Sequence, residues 1–291
     1  MNKFAVIGIG KWGNVLIGEF NKLGDVVYAV NNGSIKNLGW LRKNFPRILH
    51  TRNIDKVLIQ KDIESIIIAT PINTHHSIAK KCLEHDKNIF VEKPPCLTPK
   101  EGFELLELAK QKKTALFVDN TYSFDPAFEK LKKIISRELP QETRFTWLKW
   151  GTFDSNIVWN LAYHDINLSL NLYGKPQRSW IISNSADKVQ IEMVYKNHKV
   201  AILVDRSYKG LPEKSVVVKL RSKNYILQNS SLYKLENNKK KLIFKSKRSP
   251  LGIASERFLN EIHKKNKNYS DFELSIETVR IIEEIIEKNQ L

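Results

Sequence analysis

Cysteine is almost missing from this chain: Cys82 and Cys96 are the only two in 291 residues. Two thiols build neither a disulfide framework nor a cysteine zinc site, so a reducing, cytoplasmic setting is expected and no metal. Acid is scarce relative to base, with 31 Asp and Glu against 48 Lys and Arg, a formal charge of +17. The excess is scattered; only Lys239 to Lys241 and Lys245 to Arg248 form small clusters. No zinc-finger, RNA-recognition or basic-zipper pattern accompanies it. The charge therefore reads as a solvated surface with an attraction for small anions, and no nucleic-acid partner is expected. No apolar run approaches the ~20 residues of a membrane span, so no membrane role is expected. The run Phe4 to Ile9 is too short for the core of a secretory leader. Hydrophobic residues make up 42%, enough for packed cores, and the length suggests two domains.

What is present is a strong alternation. Phe4 to Ile7 reads as a buried strand, Gly8-Ile9-Gly10-Lys11-Trp12-Gly13 follows, and Asn14 to Leu23 reads as a helix. Strand, G-x-G-x-x-G, helix is the context a dinucleotide fingerprint needs. Gly8 allows the tight turn, Gly10 lets backbone approach a pyrophosphate, and Gly13 lets helix lie close on strand. Further strands are expected at Val26–Val30, Arg47–His50, Ser65–Ala69, Ile89–Glu92 and Thr114–Val118. Helices are expected at Ile54–Gln60, Ser77–His85 and Pro99–Gln111, the last two with Thr74 and Thr98 as N-caps. This β/α period predicts a doubly wound parallel sheet, Rossmann-type, over residues 1–122.

The pattern then changes. Helices are predicted over Pro126–Arg137 and Leu161–Tyr173, the second stopped by Gly174 and Pro176. A strand at Arg144–Trp150 and a run of strands from Arg178 to Lys245 predict a large, open, mainly antiparallel sheet. Two closing helices complete an α+β domain over 123–291.

Ligands of open α/β sheets bind beyond the carboxyl ends of the strands. Glu92, Lys93 and Pro94 stand at such an end, where Pro94 and Pro95 force the chain out of the ladder. At the end of the second strand an NAD site usually carries an acid for the ribose hydroxyls; here Asn31 and Asn32 stand instead, and NAD versus NADP is left open. Lys36 and Arg42 are near in sequence but not clearly placed. Adjacent His75 and His76 have no Cys or carboxylate cluster with them and are read as capping or ligand-contact residues, not metal ligands. On the helix Leu161–Tyr173, the residues Asn160, His164, Asn167 and Asn171 form one polar stripe, expected to face water or a ligand.

In order and spacing, Gly8-x-Gly10-x-x-Gly13, Thr70-Pro71-x-x-x-His75, Glu92-Lys93-Pro94, Asn120-Thr121-Tyr122 and Trp159-Asn160-Leu161-Ala162-Tyr163-His164-Asp165 resemble the glucose–fructose oxidoreductase / inositol dehydrogenase (Gfo/Idh/MocA) family. The resemblance implies an NAD- or NADP-dependent oxidoreductase that moves hydride to or from a hydroxyl-bearing carbon of a sugar, nucleotide-linked sugar or cyclitol. It implies catalytic roles for Lys93 and His164. Cofactor-lining roles follow for Gly8, Gly10, Lys11, Trp12, Gly13, Asn31, Asn32, Ala69, Thr70, Pro71, Asn73, His76, Glu92, Lys93 and Asn120, and substrate contacts for Lys93, Tyr122, Trp159, Asn160 and His164. A homodimer or homotetramer through the C-terminal sheet is expected. One departure stands out: Asn160 occupies a position where the family often has aspartate. A catalytically silent, cofactor-bound sensor or scaffold is the alternative that this departure raises.

Overall fold

A computed structural model describes residues 2–151, 156–237 and 239–288. The chain forms two compact units, Met1–Asp119 with Leu251–Ile276, and Asn120–Pro250 with Glu277–Leu291.

The first unit is built on a six-stranded parallel sheet. Its strands are β1 (Lys3–Ile7), β2 (Asp25–Val30), β3 (Leu49–Thr51), β4 (Ser65–Ile68), β5 (Asn88–Glu92) and β6 (Leu116–Asp119). They lie in the order β3-β2-β1-β4-β5-β6, the doubly wound order of a Rossmann sheet. The helices between them are α1 (Lys11–Phe20), α2 (Ile35–Asn44), α3 (Asp55–Leu58), α4 (His75–Glu84) and α5 (Pro99–Lys112). β4 is buried along its whole length, as a central parallel strand covered on both faces must be. Its register with β1, Phe4 opposite Ser65 and Ile7 opposite Ile68, brings the segments after Ile7 and Ile68 out side by side at the point where the winding reverses.

Local sequence explains most boundaries. Thr98 and Glu101 close a full capping box on α5, with Pro99 in its first turn. Thr74 does not cap α4: its hydroxyl bonds the Pro71 carbonyl instead, and the helix begins at His75. The helix α2 carries no legible apolar stripe, because Leu41 is its one buried residue. It is held by Ser34, which accepts from Asn37 N–H at its start.

The chain returns to this unit after the second sheet. Helix α8 (Pro250–His263) supplies Phe258, which meets Phe20, Phe90 and Phe117 at 6.1, 5.6 and 6.0 Å between ring centres. Edge and offset ring pairs of this kind each add to the area they bury. Phe272 and Ile276 of α9 (Ser270–Lys288) complete the core on the other side of the sheet.

The second unit carries an eight-stranded sheet. Its strands are β7 (Glu142–Leu148), β8 (Arg178–Asn184), β9 (Lys188–Val194), β10 (Lys199–Asp205), β11 (Glu213–Lys219), β12 (Asn224–Gln228), β13 (Ser231–Glu236) and β14 (Lys239–Lys245), in the order β14-β13-β12-β11-β7-β10-β9-β8. Neighbours run antiparallel except β7 and β10, which are parallel. Burial alternates along β9 and β10: Val189, Ile191, Met193, Val200, Ile202 and Val204 are buried, while the residues between them stay partly exposed. One face is therefore a core face and the other is not. Helices α6 (Pro126–Ile135) and α7 (Tyr163–Tyr173) lie in this unit, with the part of α9 from Glu277 onward. Asp125 caps α6 through the Ala127 N–H. Before α7 the chain makes a wide, π-helical stretch, Val158–Ala162, opened by the Asn156 side chain, which accepts from Val158 N–H at 2.9 Å. The helix expected from Leu161 thus begins as a different kind of turn, and such turns are frequent at functional sites.

Candidate active site

In the first unit the glycine loop is shaped by two close approaches. Gly8 has φ +92°, a left-handed conformation that only glycine adopts cheaply, and a Cβ there would lie 2.5 Å from the Ala69 carbonyl oxygen. A Cβ on Gly13 would lie 1.9 Å from the Gly8 carbonyl oxygen, so α1 can approach β1 this closely only without one. Gly10 is different: a Cβ there meets nothing within 4 Å. Nothing in the fold itself requires glycine at this position. Gly10 is the N-cap of α1, which has no side-chain cap and no acid in its first turn. Its open N–H groups and positive dipole end suit a phosphate. Lys11 and an exposed Trp12 stand at the start of the same helix.

Next along the edge, Ala69, Thr70 and Pro71 leave β4 and Ile72–Thr74 form a 3₁₀ turn that includes Asn73. His75 is buried, and its ring nitrogens face the carbonyls of Pro94 at 2.7 Å and Thr70 at 2.8 Å. Burial pushes its pKa down, and the hydrogen bonds to the Pro94 and Thr70 carbonyls oppose that. It ties the segment after β4 to the segment after β5, beside Lys93. His76 pairs with Glu104 at 2.8 Å, a carboxylate it shares with Lys80. Among the described residues no group of three His, Cys, Asp or Glu could hold a metal ion.

Glu92 and Asp119 end β5 and β6 directly opposite each other. Burial first, then the neighbouring Asp119 carboxyl, pushes the Glu92 carboxyl well above its usual range, with Lys93 pulling the other way. At the end of β2, Asn31 is buried and its amide donates to the Ser34 carbonyl at 3.4 Å. Asn32 next to it is exposed.

In the second unit His164, one residue into α7, sits among aromatic rings. Tyr122 stands edge-on to it at 4.9 Å and Trp147 of β7 lies at 5.4 Å. The ammonium of Lys214, on β11, lies 3.6 Å from the Tyr122 ring centre and 3.3 Å from that of Trp147. Asp165 is buried beside it, Oδ1 to Nζ 3.6 Å. Burial pushes the Asp165 carboxyl up, and Lys214 opposes that. Asn120 is buried and accepts from the Tyr163 hydroxyl at 3.3 Å. Trp159 and Asn160 lie half-buried on the π-helical stretch. The expected polar stripe divides. Asn167 is buried and structural, accepting from Ser123 at 3.0 Å and donating to Thr278 at 2.9 Å. Asn171 accepts from Lys132. Both find protein partners, because a buried amide without one would cost roughly 1–3 kcal/mol.

Residues 2–120 match the family model GFO_IDH_MocA, described as an oxidoreductase family with an NAD-binding Rossmann fold. This Rossmann region belongs to the Gfo/Idh/MocA oxidoreductase family. Its cofactor is a nicotinamide dinucleotide, NAD or NADP. The glycine loop fits such a group: Gly10 leaves open the space that a side chain would fill, in front of an uncapped helix end.

The chain is similar to an uncharacterized oxidoreductase of Schizosaccharomyces pombe, 31% identical over 150 residues that cover 46% of this chain and 41% of the relative. It is similar to the scyllo-inositol 2-dehydrogenase (NADP(+)) of Bacillus subtilis, 23% identical over 189 residues, 60% of this chain and 52% of the relative. The chain thus spans about half the length of the curated relatives it matches. Among solved structures, the UDP-N-acetylglucosamine 3-dehydrogenase of Acidithiobacillus ferrooxidans superposes with a TM-score of 0.85 over 97% of this chain and 96% of that one, at 17% identity. That likeness is one of fold.

Against the family pattern, Lys214, Trp147, Asp119 and Arg52 were not singled out by the sequence. Lys214 had a signal. The strand pattern places Lys214, Val216 and Val218 on one face, opposite Trp147, Phe145 and Thr143 in the register with β7. A lysine at such an inward position is unusual. Asp119 was legible as an acid at a strand end, but only the β5–β6 register pairs it with Glu92.

Proposed function

We propose that this chain is an NAD(P)-dependent oxidoreductase acting on a CH–OH group of a small polyol, a sugar, nucleotide-linked sugar or cyclitol. The observation that carries the reading is the placement of Glu92-Lys93-Pro94 at the carboxyl end of β5, one strand from the glycine loop's neighbour β4, in a family Rossmann sheet. The dinucleotide supplies or accepts the hydride. In this reading the first unit holds the dinucleotide and the second holds the substrate. Lys93 bonds the reacting hydroxyl and stabilises the oxyanion that develops on it, a role suited to a fixed ammonium. His164 takes or returns the hydroxyl proton. Tyr122, Trp159 and Asn160 orient the sugar; Asn160 bonds a hydroxyl but cannot take its proton, which leaves the proton work to His164 and Lys93. The assembly is a homodimer or homotetramer through the uncovered face of the eight-stranded sheet, and the setting is cytoplasmic.

The inositol dehydrogenase relative supports the substrate class. A second reading, a cofactor-bound sensor without turnover, is favoured by Asn31 and Asn160, both amides where acids are often found. One experiment separates them. The purified protein is denatured, any released dinucleotide is identified by mass, and UDP-, GDP- and dTDP-sugars and inositols are screened by NAD(P)H absorbance. Turnover with any of them supports the enzyme. Bound cofactor that none of them oxidises or reduces supports the sensor. Absence of any dinucleotide affinity rejects both.

A further inference from the structure

Resting on the cofactor reading above, we propose that the protein takes NADP(H) in preference to NAD(H), and that the Arg52 guanidinium is the group that reads the 2′-phosphate.

The argument starts at the end of β2. Gly8 N–H donates to the Val30 carbonyl at 2.9 Å, so the first glycine of the phosphate loop is tied to the segment that follows β2. In this fold that segment meets the adenosine ribose, and NAD sites place a carboxylate there for its hydroxyls. This chain has none. Asn31 turns its amide inward to the Ser34 carbonyl. The first turn of α2 contains no acid and contains Lys36. A carboxylate would repel a 2′-phosphate; its absence removes that barrier but does not by itself recognise one.

Recognition comes from the neighbouring strand. β3 pairs in parallel with β2, Val30 opposite Thr51, and Asn31 N–H donates to the Thr51 carbonyl at 3.1 Å. Arg52, the next residue, therefore leaves the sheet at the same edge as Asn31. Its guanidinium lies on Gly33: a Cβ there would be 2.6 Å from Nη2, 2.7 Å from Cζ and 2.9 Å from Nε. Gly33 has φ +104° and no side chain, and so makes room for it. Arg52 is exposed, and among the described residues it makes no ion pair. A planar, always-charged fork placed at the ribose end of the site, with Lys36 near in sequence and no acid in that turn, has the chemistry of a phosphate monoester site. The sequence alone could not show this, since Arg52 is separated from Asn31 by all of α2 and β3.

The test is direct binding, with no substrate needed. Dissociation constants for NADPH and NADH are measured by calorimetry on the intact protein at one fixed ionic strength, for wild type, R52A and R52K. Wild type is expected to bind NADPH at least about 10-fold tighter. R52A should lose most of that ratio by weakening NADPH about 10- to 100-fold while NADH changes by less than about threefold, the cost of a charge-assisted pair. R52K should fall between. Equal affinities in wild type, or tighter NADH, overturn the proposal and leave the oxidoreductase reading standing. An R52A variant that weakens both cofactors alike also overturns it. Failure of both dinucleotides to bind sinks the cofactor reading and this inference together.

A different observation, in the second unit, carries a second proposal: the geometry points to Lys214 as a positioning residue for His164. Its Nζ is buried, so it does not itself meet substrate. It lies against the rings of Tyr122 and Trp147, and those two rings are the ones that flank the imidazole. A cation between two aromatic faces is a strong, directional contact, and Asp165 ties it to the helix that carries His164. The titratable and charged groups around His164 in this unit are Tyr122, Tyr163, Asp165, Lys214 and Lys149, the last 5.9 Å from the Trp147 ring centre. In K214M the hydrocarbon volume is kept and the charge is lost. The expected result is a kcat about 10- to 100-fold lower with KM within about threefold, a shifted His164 imidazole NMR signal, and recovery of most of kcat in K214R, whose guanidinium also stacks on rings. A folded K214M with the wild-type His164 signal and wild-type kcat overturns the proposal. If K214M does not fold, W147L takes its place: it leaves the ammonium and removes one ring, and an unmoved His164 signal there is equally fatal.

Discussion

Exchange of Lys93 for methionine, or of His164 for alanine, is expected to lower turnover by about 10²- to 10⁴-fold while the dinucleotide still binds. Methionine keeps most of the length of lysine and loses its charge and its hydrogen bonds. The Lys93 variant should therefore lose stabilisation of the developing oxyanion rather than fold. Lys93 stands where the chain leaves β5, in a segment held to Thr70 through His75, so neighbouring contacts keep the backbone in place when its side chain changes. The alanine at 164 removes the imidazole that packs against Tyr122 and Trp147 and so removes the proton acceptor of the reading. The check is a steady-state series on the substrate found by the screen, with dinucleotide affinity measured in parallel. Wild-type turnover in both variants would show that neither group carries the chemistry. Loss of cofactor affinity in step with turnover would show that the variants report on binding instead.

The second large effect concerns two glycines that sequence treats as equivalents. Gly13→Ala is expected to lower Tm by about 5–10 °C, the size expected when overpacking costs about 3 kcal/mol in a chain of this length. The added methyl would stand 1.9 Å from a backbone oxygen, and neither α1 nor β1 can give way without breaking the sheet edge. Gly10→Ala is expected to leave Tm within about 1 °C and to weaken dinucleotide binding by about 10-fold or more, because its methyl meets no protein atom and occupies the approach to the phosphates. Calorimetric unfolding and cofactor titration on the two variants decide it. Equal loss of stability at both positions would mean that Gly10 serves the fold after all, and unchanged affinity in Gly10→Ala would remove the phosphates from this edge.

The sequence by itself determined the order and kind of the elements at this protein's ligand edge. Turns, caps and strand ends are local: Gly8 to Gly13, Thr98 with Glu101, and Lys93 before two prolines are written in contiguous residues, and the physics that reads them acts over a few positions. The helix α2 escaped for the same reason, since a helix that buries only Leu41 has no period to read. Tertiary structure alone decided which of these groups stand side by side. Strand register set Arg52 beside Gly33 and Glu92 opposite Asp119, and it turned Lys214 inward against Trp147. Packing across the helices gave Asn167 and Asn171 their protein partners. Each of these pairings joins residues far apart along the chain. Their contact energies exist only after the intervening segment has folded, so no local pattern encodes them.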